Sequence, residues 1–314
     1  MITTAVILAA GRGTRLKEIT SKRSKAMAPV VGLPMIARVM DSLRASGMKR
    51  FVVVTAPGDH ELHRYCSAVP EACIRVQDQP KGSGNALRVC EADLTEAFVV
   101  SACDSLLDPA DICAVVKLFL AEKAQAALSV MQVDENVSLQ ARSVVRCCGV
   151  KVEEFIEKPG ASERISDTTS LPLWVLSPTV FSELRELKPS PRGEYELPAV
   201  FNAMIAKGQR VVAHEAKHRS DLTTIDDLVE LNCMFLREMS PLIQVHQSTY
   251  IPAGVRVIPP VKIDEGCQIG DGAQIGPEVY IEQGARVAPG VELRQVVVTS
   301  GAQVTESGSQ RVYV

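Results

Sequence analysis

The sequence predicts an α/β protein, a doubly wound domain followed by a short β-helix. Two patterns predict it. Over the first two thirds, apolar runs of strand length alternate with helical periodicities, as in a sheet covered on both faces. From Ile251 onward, aliphatic residues instead recur every six positions.

The elements follow in order. Val6–Ala10 is an apolar run ending in glycine, suited to a central parallel strand. Met35, Ile36, Val39, Met40 and Leu43 share one helical face within 34–45, and Gly47 follows as a C-cap. Residues 50–56 read as a strand, 86–94 as a helix, and 97–104 as a strand ending in Asp104. Residues 111–123 read as a helix, 126–133 as a strand, and 225–239 as a helix. Sheets of this kind bind ligands at the carboxyl ends of their strands, where both Gly11 and Asp104 fall.

In the second pattern, Ile251, Val257, Ile263, Ile269, Ile275, Ile281, Val287 and Leu293 keep the six-residue period. A small or β-branched residue stands four positions after each, and glycine precedes five of these. Such hexads build triangular coils, one short strand per face. Eight hexads predict two to three coils, with the polar stretch 305–310 as a cap. The expected domains are 1–228, a helical linker 229–248, and the β-helix 249–314. A stack this short has open ends, so it is expected to lean on the first domain or on another subunit, giving a homo-oligomer.

Composition narrows the function. The chain has 314 residues, 46% of them apolar, ample for a large core. A net charge of −3 and only 4% aromatics argue against nucleic acid and anionic membrane as partners. The nine cysteines include no CxxC pair or zinc spacing. With no signal-like N-terminus and no membrane-spanning run, a reducing cytoplasm is the expectation.

The stretch "VILAAGRGTRLKEITSKRSKAMAPV" raises the question of which phosphates its glycine turn holds. A Walker A loop needs GxxxxGK[ST], which is absent. A dinucleotide fingerprint needs a third glycine where Leu16 stands, and no acidic residue ends a second strand at the ribose-binding distance. What remains, "LAAGRGTRL" with Lys25 ten residues after Arg15, resembles the sugar-phosphate nucleotidylyltransferases. Their opening signature is LAAGxGTRL followed by a proline–lysine pair; here Ser24 replaces the proline.

That resemblance implies a Rossmann-like nucleotidyltransferase domain with a left-handed parallel β-helix, as several members carry. It implies that Leu8, Ala10, Gly11, Gly13 and Thr14 bind nucleotide, with Arg15 and Lys25 catalytic. "QDQPKGSGNAL" is similar to the segment in which Gln77 would read a pyrimidine edge and Gly82 and Ser83 would lie against base and ribose. "VVSACD" supplies Asp104 as a first Mg²⁺ ligand, and "SDLTTIDDL" supplies Asp221 as a second. "FIEKPG" makes Glu157 a sugar contact and Lys158 a sugar-phosphate contact, and "RGEYELPAVFNAM" puts Glu194 near the sugar. Cys103, Ser143 and Pro172 depart from the family pattern, the last two on the sugar side.

The implied activity is Mg²⁺-dependent nucleotidyl transfer from a nucleoside triphosphate, UTP or dTTP favoured, to a sugar 1-phosphate. Three alternatives stand beside it. A silent nucleotide-binding regulatory subunit would account for the three departures. A different phosphomonoester acceptor, such as phosphocholine, would account for the altered sugar side. An acyl-transferring β-helix is disfavoured, because all five histidines precede Ile251.

Overall fold

The computed structural model describes residues 2–11, 13–134, 136–140, 142–160 and 163–314. The chain forms two compact units that do not follow chain order. One comprises Met1–Gly11 with Val39–Arg219, the other Arg12–Arg38 with Ser220–Val314.

The first unit is built on nine strands: β1 (Thr4–Leu8), β2 (Arg50–Thr55), β3 (Ala72–Val76), β4 (Phe98–Ala102), β5 (Ala126–Gln132), β6 (Ser143–Cys148), β7 (Lys151–Glu157), β8 (Thr168–Leu176) and β9 (Val211–Glu215). Their order is β3-β2-β1-β4-β8-β5-β9-β7-β6. β3, β2, β1 and β4 are parallel, and β8 enters antiparallel between β4 and β5. The sheet is therefore mixed beyond β4. β1 and β2 are apolar along nearly their whole length because helices cover both faces of the sheet. Val6, Val52, Val100, Leu128, Phe155 and Phe201 are buried in one continuous core.

One local reading needs correction. The helix expected over 86–94 runs Ser83–Arg88 and passes into a 3-10 turn at Glu91–Asp93. Arg75 and Arg50 both hold the Asp93 carboxylate, which fixes that turn. In β8 the register against β5 shifts between Ser170 and Trp174, a bulge that contains Pro172. A residue with no N–H is tolerated where the ladder is interrupted.

In the second unit the hexads do form a β-helix. Val261–Ile263, Val279–Ile281 and Val296–Val298 stack in parallel on one face, with Ile243–Val245 before them and Arg311–Tyr313 after. The coils thus number about four, more than the two to three expected, and the polar stretch is not a cap. It leads into a last strand, Gly308–Tyr313, whose exposed side chains made it look terminal. The slip after Leu293 is a corner turned at Gln295, which has φ +51° and lies within one long strand, Glu292–Val298.

The helix Ile225–Glu238 also belongs to this unit. A capping box at Thr224 and Asp227 starts it. Val31, Leu236, Tyr280 and Val297 form an apolar cluster that joins this helix and the hairpin Pro29–Val30/Leu33–Pro34 to the β-helix. Among the described residues no helix is long and apolar enough to cross a membrane.

Candidate functional site

In the first unit, β1 lies between β2 and β4, which makes their carboxyl ends the switch point of the sheet. Leu8 is in register with Ala102, and the Cys103 N–H donates to the Leu8 carbonyl at 3.2 Å. Ala10 and Gly11 therefore leave β1 beside the point where Asp104 follows β4. Ala10 is buried and Gly11 exposed, with nothing within 4 Å of where a Cβ would sit. Cys103 is buried beside Asp104.

Gln77 continues from β3, its N–H bonded to the Thr55 carbonyl at 2.9 Å. It is 4% exposed, and its amide hydrogens go to the Gly82 carbonyl (3.1 Å) and Asn85 Oδ1 (2.8 Å). The amide oxygen is its remaining polar atom. Gly82 has φ +98°, and a Cβ there would meet the Tyr195 backbone at 2.7 Å. Only glycine meets both demands. Ser83 Oγ accepts the Leu197 N–H at 3.0 Å, at the start of the helix Leu197–Ala206.

A second group in this unit gathers around the end of β7. The Ser143 hydroxyl donates to Glu157 Oε2, and Lys158 Nζ lies 3.7 Å from Glu157 Oε1. Lys158 has φ +50°, and its N–H bonds the Arg142 carbonyl at 2.8 Å. Arg192 binds the Glu196 carboxylate at 2.5 Å. Hydrogen bonding to Glu196 raises its guanidinium pKa first, and the charges of Glu157 and Glu194 add to that. Asn202 clamps the strand end, accepting the Phe155 N–H at 3.0 Å and donating to the Phe155 carbonyl at 2.6 Å. Glu157 and Lys158 thus come together, and the charges of Glu157 and Glu194 both act on Arg192. Arg192 and Asn202 were missed in the sequence, although both lie inside the "RGEYELPAVFNAM" segment that marked Glu194.

The second unit holds Gly13, Thr14, Arg15, Lys25 and Asp221. Of the glycine signature, Arg12 lies outside the described residues. Gly13 has φ +57°; a Cβ would meet Thr20 Cγ2 at 2.8 Å and the Lys25 stem at 3.4 Å. The bare backbone at Gly13 therefore lies against the lysine's methylenes. Thr14 and Arg15 are exposed, while the intervening turn is anchored by fully buried Leu16. Lys25 opens a 3-10 turn, Lys25–Met27. Ser24 has φ −67°, the angle a proline ring imposes, so serine keeps the shape that the family's proline gives. Asp221 precedes the capping box of the helix Ile225–Glu238.

Other chemistries find less support. Burial raises the thiols of Cys66, Cys147 and Cys233 to about 11 and that of Cys90 to about 12, so these four stay protonated at neutral pH. Among the described residues no group of three or more His, Cys, Asp or Glu is placed to hold a metal. Zinc needs such a cage, whereas magnesium needs only one or two carboxylates beside phosphate oxygens.

Comparison with known proteins identifies the family. A family model described as nucleotidyl transferase matches residues 4–238, and one described as bacterial transferase hexapeptide (six repeats) matches residues 260–295. The chain is 30% identical over 214 residues to a UTP--glucose-1-phosphate uridylyltransferase, AglF, of Haloferax volcanii, covering 67% of this chain and 86% of the relative. It is 27% identical over 262 residues to a bifunctional protein, GlmU, of Methanococcus maripaludis, covering 83% of this chain but 60% of that relative's length. A crystal structure of a UDP-glucose pyrophosphorylase complexed with UDP-glucose shares the fold, with TM-score 0.69 at 23% identity over 76% of this chain and all of that one. The chain belongs to the nucleotidyl transferase family and carries hexapeptide repeats behind its transferase domain.

Proposed function

We propose that the protein joins UTP or dTTP to a sugar 1-phosphate, giving a nucleotide sugar and pyrophosphate. The observation that carries this reading is the switch point, where the glycine turn and Asp104 leave adjacent strands at the same end. A phosphate oxygen of the sugar 1-phosphate attacks the α-phosphorus in line, and pyrophosphate leaves. Such transfer needs positioning and neutralisation of charge more than covalent help.

In this reading Leu8, Ala10, Gly11, Gly13 and Thr14 line the nucleotide. Arg15 neutralises the triphosphate, and Lys25 stabilises charge developing at the α-phosphate. Gln77 has both amide hydrogens engaged, so its oxygen accepts the ring N–H of uracil or thymine. Cytosine and adenine lack that donor. Gly82 and Ser83 lie against base and ribose. Glu157 and Glu194 receive sugar hydroxyls, and Lys158 anchors the attacking phosphate. Asp104 and Asp221 would hold Mg²⁺, which supplies positive charge to the triphosphate when bound.

The β-helix assembles copies of the chain into an oligomer, and the enzyme works in a reducing compartment with all nine cysteines free. One observation favours a second reading of the acceptor. Ser143 occupies an oxygen of Glu157 that would otherwise take a sugar hydroxyl, which suits a phosphomonoester with fewer hydroxyls. Pyrophosphate release with Mg²⁺, across nucleoside triphosphates and sugar 1-phosphates with phosphocholine included, tests both. Release that requires a uridine or thymidine triphosphate and a sugar 1-phosphate supports the first. Release with phosphocholine alone supports the second.

A further inference from the structure

Lys25 sits on a segment fastened at both flanks to the β-helix and its helix. Two residues before it, Arg23 Nη1 lies 2.7 Å from Glu282 Oε1, with the side chains 17% and 14% exposed. The other carboxylate oxygen of Glu282 accepts the Ser300 N–H at 2.8 Å, from the next coil. Four residues after it begins the hairpin that turns at Val31 and Gly32. The Val31 N–H donates to Asn232 Oδ1 at 2.8 Å, and Asn232 Nδ2 donates to the Pro29 carbonyl at 3.0 Å. Tyr280 is buried under the turn, donating its hydroxyl to Asp264 at 2.6 Å and receiving the Gly32 N–H. Arg38 closes the hairpin from behind, bonded to the Val30 carbonyl at 2.9 Å and stacked on Phe235 at 4.1 Å.

Between these fastenings lie only residues 24–28, whose last three are buried. The lysine's backbone therefore has little freedom independent of the coils bearing Tyr280, Glu282 and Ser300. A charge pair this sheltered is screened far less than a surface pair. Removing one partner leaves the other charge poorly solvated, so the segment would move to relieve it.

We propose that Arg23 and Glu282 are positioning residues for Lys25, and that the β-helix is thereby part of the transfer machinery. This rests on the role given to Lys25 above. The pair acts through the lysine's position and touches no substrate. A lysine held by its own flanks orients a charge at the α-phosphate without paying ordering entropy at each turnover.

The test compares the full-length chain with Glu282→Gln, Arg23→Ala and Arg23→Lys. It measures kcat, both KM values, melting temperature, and the rate at which acetic acid N-hydroxysuccinimide ester acylates Lys25, read by peptide mass spectrometry. Glu282→Gln and Arg23→Ala should lower kcat by between about tenfold and a hundredfold, the scale of ångström-level misplacement, with KM for the triphosphate little changed. Both should alter Lys25 acylation in the folded protein. Arg23→Lys should restore most of kcat, because a single guanidinium nitrogen makes the contact. Unchanged kcat and unchanged acylation in folded variants would overturn the proposal, as would a kcat loss no larger than the loss of folded protein. If the wild type turns over no substrate pair, the functional reading fails, and the acylation rate still decides whether the pair positions the lysine.

Discussion

Two residues carry tests that separate chemistry from architecture. Lys25 packs its stem against the Gly13 backbone, and its replacement by alanine removes charge without emptying a core. Lys25→Ala should therefore lower kcat by about a hundredfold or more while the melting temperature stays nearly constant, as steady-state kinetics and calorimetry would show. Gly82 behaves oppositely. Its φ of +98° and the Tyr195 backbone 2.7 Å from a Cβ make any side chain a structural fault. Gly82→Ala should lower stability by about 1–3 kcal/mol in urea unfolding and weaken nucleotide binding, because Gln77 bonds the Gly82 carbonyl. At this scale the sequence was informative where a motif fixed both residue type and spacing, as with Gly13 and Lys25. It was silent on Asn202, whose partner Phe155 lies far off in the chain, and on Arg192, although its partner Glu196 is only four residues on.

At the scale of elements, β1 and the strand before Asp104 were legible because both are buried runs with no competing helical period. The antiparallel entry of β8 was not, since Pro172 and the bulge around it obscure the alternation. The hairpin at 29–34 was also missed. Its turn uses positive φ at Val31, a β-branched residue that local propensity would not place there, and the Asn232 and Tyr280 contacts hold it. The same seam sets a pH dependence. Glu278 loses hydration on burial, which opposes ionisation, yet hydrogen bonds from Arg237 and Gln295 outweigh this and hold its carboxyl below the ordinary 4.5. A carboxyl depressed in the folded state stabilises above its unfolded value, and that contribution disappears as pH falls through the folded one. The melting temperature should accordingly fall as pH drops below about 4.5, less steeply in Glu278→Gln. An identical acid limb in both proteins would remove Glu278 from the account.

At the scale of the molecule, the hexad period made the β-helix readable because every coil repeats the same inward positions. Its length was underestimated because Gln295 breaks the period before the last strand, and the first strand, Ile243–Val245, precedes the hexads that start at Ile251. The stack is longer than expected, and one of its faces already packs the helix Ile225–Glu238 and the 29–34 hairpin. Its ends still carry exposed Leu242, Ile243 and Val314, the basis for expecting association. Sedimentation equilibrium should give a mass that is a multiple of 33.9 kDa, and a monomer at micromolar concentration would contradict the assembly. The chain order of the two units explains why domain limits were hard to read. The segment bearing the glycine signature leaves the first unit at Gly11 and returns at Val39, which no local composition marks. In the proposed reaction this signature serves nucleotidyl transfer to a sugar 1-phosphate. Pyrophosphate release measured with Mg²⁺ and paired substrates tests it most directly. Release should require both UTP or dTTP and a sugar 1-phosphate; triphosphate binding with no release for any sugar 1-phosphate would overturn that reaction.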